Sequence, residues 1–282
     1  MATARSNPRK DWKLLILTIS ILVLLAVLYL LSLRGRTGHP GLEALKGHSY
    51  AHRGLHDDTR PENSMAAFEA AVEHGFGIEL DVHLLKDGSL AVFHDSDLKR
   101  ITGKEGKLED LTKEQLPECF LCGTQQTIPL FSDVLQLCGG KIPLIVELKS
   151  ANNNYAALTE ATCKMLETYP GVYCMESFDP HCIRWLKQNR PEVIRGQLGG
   201  NFFVPNSPVP WILKFLMTYQ MMNFLTQPDF SAYKFTDRKN LSNFLARKLW
   251  GLQGVSWTLR NMDEYNTAKS ENLIPIFENF VP

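Results

Sequence analysis

Short apolar runs alternate with stretches of helical periodicity along most of this 282-residue chain, and that alternation constrains its fold more than any other feature. Strand-like runs fall near 49–53, 77–84, 90–94, 143–149, 172–178, 193–198, 254–259 and 274–278. Apolar residues recur at helical spacing over 64–74, 131–138, 155–168, 180–189, 240–250 and 261–270. A strand followed by a crossover helix builds a parallel sheet covered by helices. Eight such strands suffice to close a TIM (β/α)8 barrel. With 44% hydrophobic residues, the chain can bury one core of that size. Residues 96–129 carry no strand signal and read as a small insertion in the barrel.

An uncharged apolar run, Leu14 to Leu33, precedes the alternating region. At 1.5 Å per residue, about 20 residues cross the roughly 30 Å hydrocarbon core. No A-x-A-like cleavage site follows, so the run reads as one N-terminal transmembrane helix and not as a removed signal. Arg5, Arg9, Lys10 and Lys13 before it outnumber Arg34 and Arg36 after it. That bias predicts a single-pass cell-membrane protein with the folded domain outside the cytoplasm. The expected organisation is a basic tail over 1–13, a transmembrane helix over 14–33, a Gly- and Arg-rich linker over 34–47 and the barrel over 48–282.

Composition narrows the partners. Net charge is zero and no basic stripe is interleaved with aromatics, so no nucleic acid is expected. Cys119 and Cys122 form a C-x-x-C with no second pair at zinc spacing. A redox pair or local disulfide stays open there, while the other cysteines read as small hydrophobes. A second apolar stretch, 205–228, holds Trp211, Phe215, Met217 and Met222 with a single charge. It reads as a barrel helix buried on most sides, because it lacks the basic residues of an interfacial helix. Nothing in the sequence speaks to oligomeric state.

The chemistry concentrates at the ends of the strand-like runs. In Gly77-Ile-Glu-Leu-Asp-Val-His83, Glu79 and Asp81 share one face of a strand. Two carboxylates that close repel unless a cation neutralises them, and oxygen ligands suit Mg²⁺ or Ca²⁺. Tyr50-Ala-His-Arg-Gly54 supplies His52 and Arg53, Val92-Phe-His-Asp95 supplies His94, and Glu147 and Lys149 again lie two apart. Two histidines, three carboxylates, an arginine and a lysine match metal-assisted chemistry on a phosphate ester. Glycoside cleavage by Glu79 and Asp81 does not fit, because neighbours on one strand cannot stand about 5–9 Å apart across a scissile bond. His83 reads as a residue behind the site or at the surface, and His56 carries no spacing signal. Glu62 and Asn63 are candidates to touch the site, although Asn63 or Ser64 caps the helix that follows and capping accounts for Asn63. Phe178 and Trp257 are candidates for an apolar wall against the substrate.

The series His52-Arg-Gly54, Pro61-Glu-Asn63, Glu79-Leu-Asp81, Val92-Phe-His-Asp95 and Glu147-Leu-Lys149, with Ser177-Phe178 and Trp257-Thr258 after it, resembles the glycerophosphodiester phosphodiesterase domain family. The resemblance covers about His48 to the C-terminus. It implies a TIM barrel with a small insertion that hydrolyses glycerophosphodiesters to glycerol 3-phosphate and an alcohol. It further implies one divalent cation on Glu79, Asp81 and Glu147, His52 and His94 as the acid–base pair, and Arg53 and Lys149 on phosphate. The substrate would be a soluble glycerophosphodiester, a lysophospholipid or a glycerophosphate polymer. Where many members end in a T-D-x-P-like segment, this chain reads Ile276-Phe-Glu-Asn279, so no role for the last strand is carried over. The alternative is a catalytically silent membrane scaffold; loss of an essential residue would mark it, and none is missing.

Overall fold

A parallel strand covered on both faces needs apolar residues throughout, and every residue of Leu144-Ile-Val-Glu-Leu148 is buried. The computed structural model describes residues 8–205 and 209–282. Among them the strands are β1 (Tyr50–His52), β2 (Gly77–Leu84), β3 (Leu90–Val92), β4 (Leu144–Leu148), β5 (Tyr173–Ser177), β6 (Arg195–Gly199), β7 (Phe230–Lys234), β8 (Gln253–Leu259) and β9 (Leu273–Phe277). All but β3 run parallel in the order β1-β2-β4-β5-β6-β7-β8-β9, and β9 pairs with β1 to close the barrel.

One barrel strand differs from expectation. The run 90–94 yields β3, which pairs antiparallel with β2 (Val82 opposite Val92) and so lies outside the barrel as a hairpin arm. Its place is taken by β7, where no strand was expected. Ser231 and Ala232 of β7 are buried but small and unbranched, so the segment lacks a strand's usual sequence signal.

Ile78, Leu80 and Val82 of β2 point outward into the layer shared with the helices, beside Phe68, Phe131 and Leu158. Glu79 and Asp81 alternate with them and therefore face the barrel axis. Tyr50, Ile145, Cys174, Phe230 and Ile276 fill the lower interior, where Gly196 is required: a Cβ there would lie 2.1 Å from the Phe230 ring. Residues 96–129 fold around a small core of their own with Phe93, Leu108 and Leu121. All six cysteines are free thiols, so Cys119 and Cys122 form no disulfide.

The helix Pro8–Ser32 carries an apolar stretch, Trp12–Ser32, long enough to cross a bilayer. Residues 1–7 of the basic tail lie outside the described residues. The segment 34–47, expected as a linker, is held against the barrel instead. The Arg36 guanidinium pairs with Asp229 (Nε to Oδ1, 2.6 Å) and donates to the Val193 carbonyl at 3.0 Å. Leu42 and Leu45 of the short helix Leu42–Lys46 join the lower barrel core, and the Tyr50 hydroxyl donates to Leu45 O at 3.0 Å. Leu33 is fully buried beside Ala246 and Leu252, and the Trp250 indole donates to Leu30 O at 2.8 Å.

The reading of 205–228 as a buried helix is corrected. The helix Trp211–Thr218 buries only Thr218, and Trp211 is 70% exposed. Helix Pro180–Asn189 packs on β6, and Asn223–Thr226 packs on that helix.

Candidate active site

Parallel register brings four carboxylates to the C-terminal end of the barrel. Glu79 pairs in register with His52, Asp81 with Glu147, and Glu147 with Glu176. One oxygen from each of Glu79, Asp81 and Glu147 lies within 4.8 Å of the others, and all three residues are buried. Glu176 is buried beside them, with one carboxylate oxygen lacking a hydrogen-bond partner. Burial, reinforced by the charges of Asp81 and Glu147, pushes Glu79 well above the usual carboxylate range. Burial pushes Glu147 up to about 7 against the pull of Lys149, and raises Glu176 as well. Asp81 departs from this: burial opposes its ionisation, but Lys149 at 3.1 Å and Arg53 at 3.5 Å hold it well below the ordinary range. Lys149 also stands 2.8 Å from Glu147. A desolvated, all-oxygen cluster with raised carboxylates is short of positive charge, and that donor set fits a hard divalent cation.

Both histidines have Nδ1 tied to a carboxylate. Glu278, just past β9, lies 2.6 Å from Nδ1 of His52, whose Nε2 is 3.9 Å from Glu79. Asp95 bonds Nδ1 of His94. Burial lowers the pKa of His52, with Glu278 opposing; burial likewise lowers His94 to about 4, with Asp81 opposing. His94 is not delivered by a barrel strand, as its sequence context suggested. It arrives on the antiparallel arm β3, held where Phe93 N donates to Asp81 O at 3.0 Å.

A polar frame fixes these groups. Arg53 adopts φ +55°, its backbone N–H donates to Glu79 at 3.2 Å, and its guanidinium donates to Glu62 at 2.8 Å. Arg100, from the insertion, bonds both Glu62 and Asp95, which links Arg53 to His94. Of the two capping candidates Ser64 caps the helix Met65–Glu73, while Asn63 donates to Asp81 at 2.8 Å from a buried position. His83 is buried behind the site, 2.8 Å from Glu109 and 3.2 Å from the His94 carbonyl. His56 Nε2 lies 3.8 Å from Glu278.

A cavity of about 40 Å³ is lined by His52, Arg53, Glu79, His94, Glu147 and Glu176, with Phe178 and Trp257 on its apolar side. Those two rings meet edge to face at 5.6 Å, and the Trp257 indole donates to Ala232 O at 3.0 Å. All nine expected site residues thus converge, Asp81 and Lys149 through their ion pair. Sequence reasoning passed over Glu176, Glu278 and Arg100. Glu176 had a signal, a lone acid in an otherwise apolar strand-like run. The other two become visible only through tertiary contacts.

The family model for the glycerophosphoryl diester phosphodiesterase family matches residues 52–281. A glycerophosphodiester phosphodiesterase of Caldanaerobacter subterraneus subsp. tengcongensis is 35% identical over 158 residues, covering 52% of this chain and 65% of that protein. One from Bacillus altitudinis is 40% identical over 129 residues, covering 43% of this chain and 52% of its own length. The chain therefore spans about half to two thirds of these bacterial relatives. Mouse glycerophosphodiester phosphodiesterase 1 is 27% identical over 257 residues, covering 78% of this chain and 74% of that protein. An Oleispira antarctica phosphodiesterase, solved with the product sn-glycerol-3-phosphate, superposes with a TM-score of 0.69 at 20% identity over 86% of this chain and 95% of that one. That likeness concerns the fold.

Proposed function

Because the chain belongs to the glycerophosphoryl diester phosphodiesterase family, we propose that this cavity hydrolyses glycerophosphodiesters to glycerol 3-phosphate and an alcohol. The observation that carries the reading is one cavity lined by both histidines, Arg53, Glu79 and Glu147. Glu79, Asp81 and Glu147 would hold one divalent cation, Mg²⁺ or Ca²⁺; their oxygen donors and the raised pKa values of Glu79 and Glu147 support that fit. When bound, the cation supplies Lewis-acid polarisation of a phosphoryl oxygen.

The chain's own residues account for the rest. Arg53 offers a planar fork to phosphate oxygens and Lys149 a point charge, each anchored by the acids around it. Glu278 and Asp95 accept from Nδ1–H, which leaves Nε2 of each ring as the reactive nitrogen. One Nε2 takes the proton of the attacking hydroxyl, from water or from the glycerol itself, and the other ring gives a proton to the leaving oxygen; attack by the glycerol hydroxyl leaves a cyclic phosphate, which water then opens with the two rings in exchanged roles. The charge of the arriving phosphodiester favours protonation of the ring that donates. Phe178 and Trp257 wall off water from that exchange.

The helix Trp12–Ser32 serves as a membrane anchor with the barrel outside the cytoplasm, a reading supported by its length and its basic N-terminal flank. The substrate is either a soluble glycerophosphodiester or a lysophospholipid of that membrane. His52→Ala and Glu79→Ala each abolish release of glycerol 3-phosphate, as does a chelator, while circular dichroism is unchanged; full activity in both variants refutes the assignment. Protease access on intact cells tests the orientation.

A further inference from the structure

Beside the small cavity opens a groove of about 610 Å³ that shares His94, Glu147 and Phe178 with it. Its polar lining includes Lys149, Ser150 and His181. Its apolar wall is hydrocarbon and thioether: Val209, Pro210, Leu213, Leu216, Met217 and Met222. A glycerol phosphate attached to a small polar alcohol has no use for such a wall, which matches an apolar body of single-ligand size. Methionines in it can adapt to a flexible chain.

The groove leads toward the base of the N-terminal helix. Met222 lines it, while the adjacent Met221 packs on the cluster that buries Leu33, and Asn223 donates to Leu33 O at 3.2 Å. The outer surface next to it is apolar too. Trp211, Ile212 and Phe215 are exposed on the helix that forms the groove wall. Leu241 and Phe244 are exposed on helix Leu241–Trp250, whose Ser242 meets the Tyr29 hydroxyl at 2.6 Å. Apolar exposure of this kind, with aromatics and continuous with a bilayer-length helix, matches a surface resting in a membrane interface.

We propose that the groove binds one hydrocarbon chain of a glycerophosphodiester drawn from the bilayer that the N-terminal helix spans, with helix Trp211–Thr218 lying at the membrane surface. The substrate class is then a monoacyl glycerophosphodiester, its phosphate at Arg53 and Lys149 and its chain along Leu213 and Met217. This assignment rests on the anchor and the phosphodiesterase chemistry proposed above.

The test uses the full-length protein in phospholipid nanodiscs. Turnover of monoacyl glycerophosphoethanolamines of increasing chain length is compared with that of glycerophosphoethanolamine. In parallel, binding of alkyl phosphocholines is titrated with the His52→Ala protein, which needs no turnover. The expected result is kcat/KM and probe affinity that both rise with chain length. Leu213→Gln and Met217→Gln, the first at a residue already 42% exposed, reduce the ratio of acylated to deacylated kcat/KM about tenfold or more, mainly through KM. Chain-length dependence absent from both assays overturns the proposal, as does a ratio unmoved by either variant. A groove that seats a second copy of this chain would instead yield a dimer dissolved by Leu213→Gln with no chain-length effect, and that also overturns it. Chain-length-dependent probe binding without hydrolysis of any glycerophosphodiester sustains the groove and sinks the phosphodiesterase reading.

Discussion

Glu147→Gln is expected to make the cation-free protein more stable while removing its function. Burial pushes the Glu147 carboxyl up to about 7 from an ordinary 4.5, even with Lys149 at 2.8 Å. The folded state therefore holds a proton on Glu147 that the unfolded chain has lost, and stability falls as pH rises through that interval. Raising the carboxyl from 4.5 to about 7 corresponds to about 3 kcal/mol against the ionised form at pH 8. At pH 5 most of that cost is absent, because Glu147 is then protonated in the fold. Glutamine is neutral at both values. In a domain of this size about 3 kcal/mol equals roughly 6–12 °C in Tm; Lys149 loses one of its two carboxylates, so that range is an upper bound. Thermal melts in chelator should place the variant above wild type at pH 8 and close to it at pH 5. Added Mg²⁺ or Ca²⁺ should raise only the wild-type Tm, since the variant lacks one anionic ligand. A variant that melts below wild type at pH 8 in chelator would show that the Lys149 pair outweighs desolvation, and the reasoning would fail.

Cation affinity should fall as pH drops below about 7, because Glu147 and Glu79, both raised by burial, must lose protons to ligate; calorimetry in buffers of different ionisation enthalpy should detect proton release, and pH-independent binding without release contradicts it. Glu278→Gln removes the carboxylate from His52 Nδ1, so kcat should drop about 10–100-fold, the usual cost of losing an orienting partner. Since Glu278 raises the His52 pKa, the limb of the pH–rate profile that needs protonated His52 should move to lower pH. Arg36→Ala leaves Asp229 buried without its guanidinium, at about 3 kcal/mol or roughly 6–12 °C in Tm; an unchanged melt would mean that 34–47 is a loose tether after all.

Much of the site was legible because it obeys local geometry. Glu79 and Asp81 alternate with Ile78, Leu80 and Val82, and Glu147 and Lys149 repeat the spacing, so a two-residue period alone places each pair on one face. Glu176 and Glu278 required more. Glu176 matters because β4 and β5 are in a register that sets it beside Glu147, and Glu278 because β9 closes onto β1 more than two hundred residues earlier in the chain. Arg100 lies in the insertion, whose path over Glu62 no local pattern encodes. β7 escaped for a different reason: its buried Ser231 and Ala232 fit a crowded barrel wall without the branched side chains that mark a strand. The 205–228 stretch misled because an apolar composition is compatible with burial and with exposure alike.

The one-dimensional pattern by itself determined a barrel of eight parallel strands, a bilayer-length helix before it and the identities of the groups that meet at the rim, because side-chain period and residue chemistry are local properties. Tertiary structure decided which run became the eighth strand and which acid faces each histidine. It also decided that the apolar helix after β6 stays open beside the N-terminal helix. These outcomes depend on register, closure and competition for a finite sheet surface, which join residues far apart in the chain.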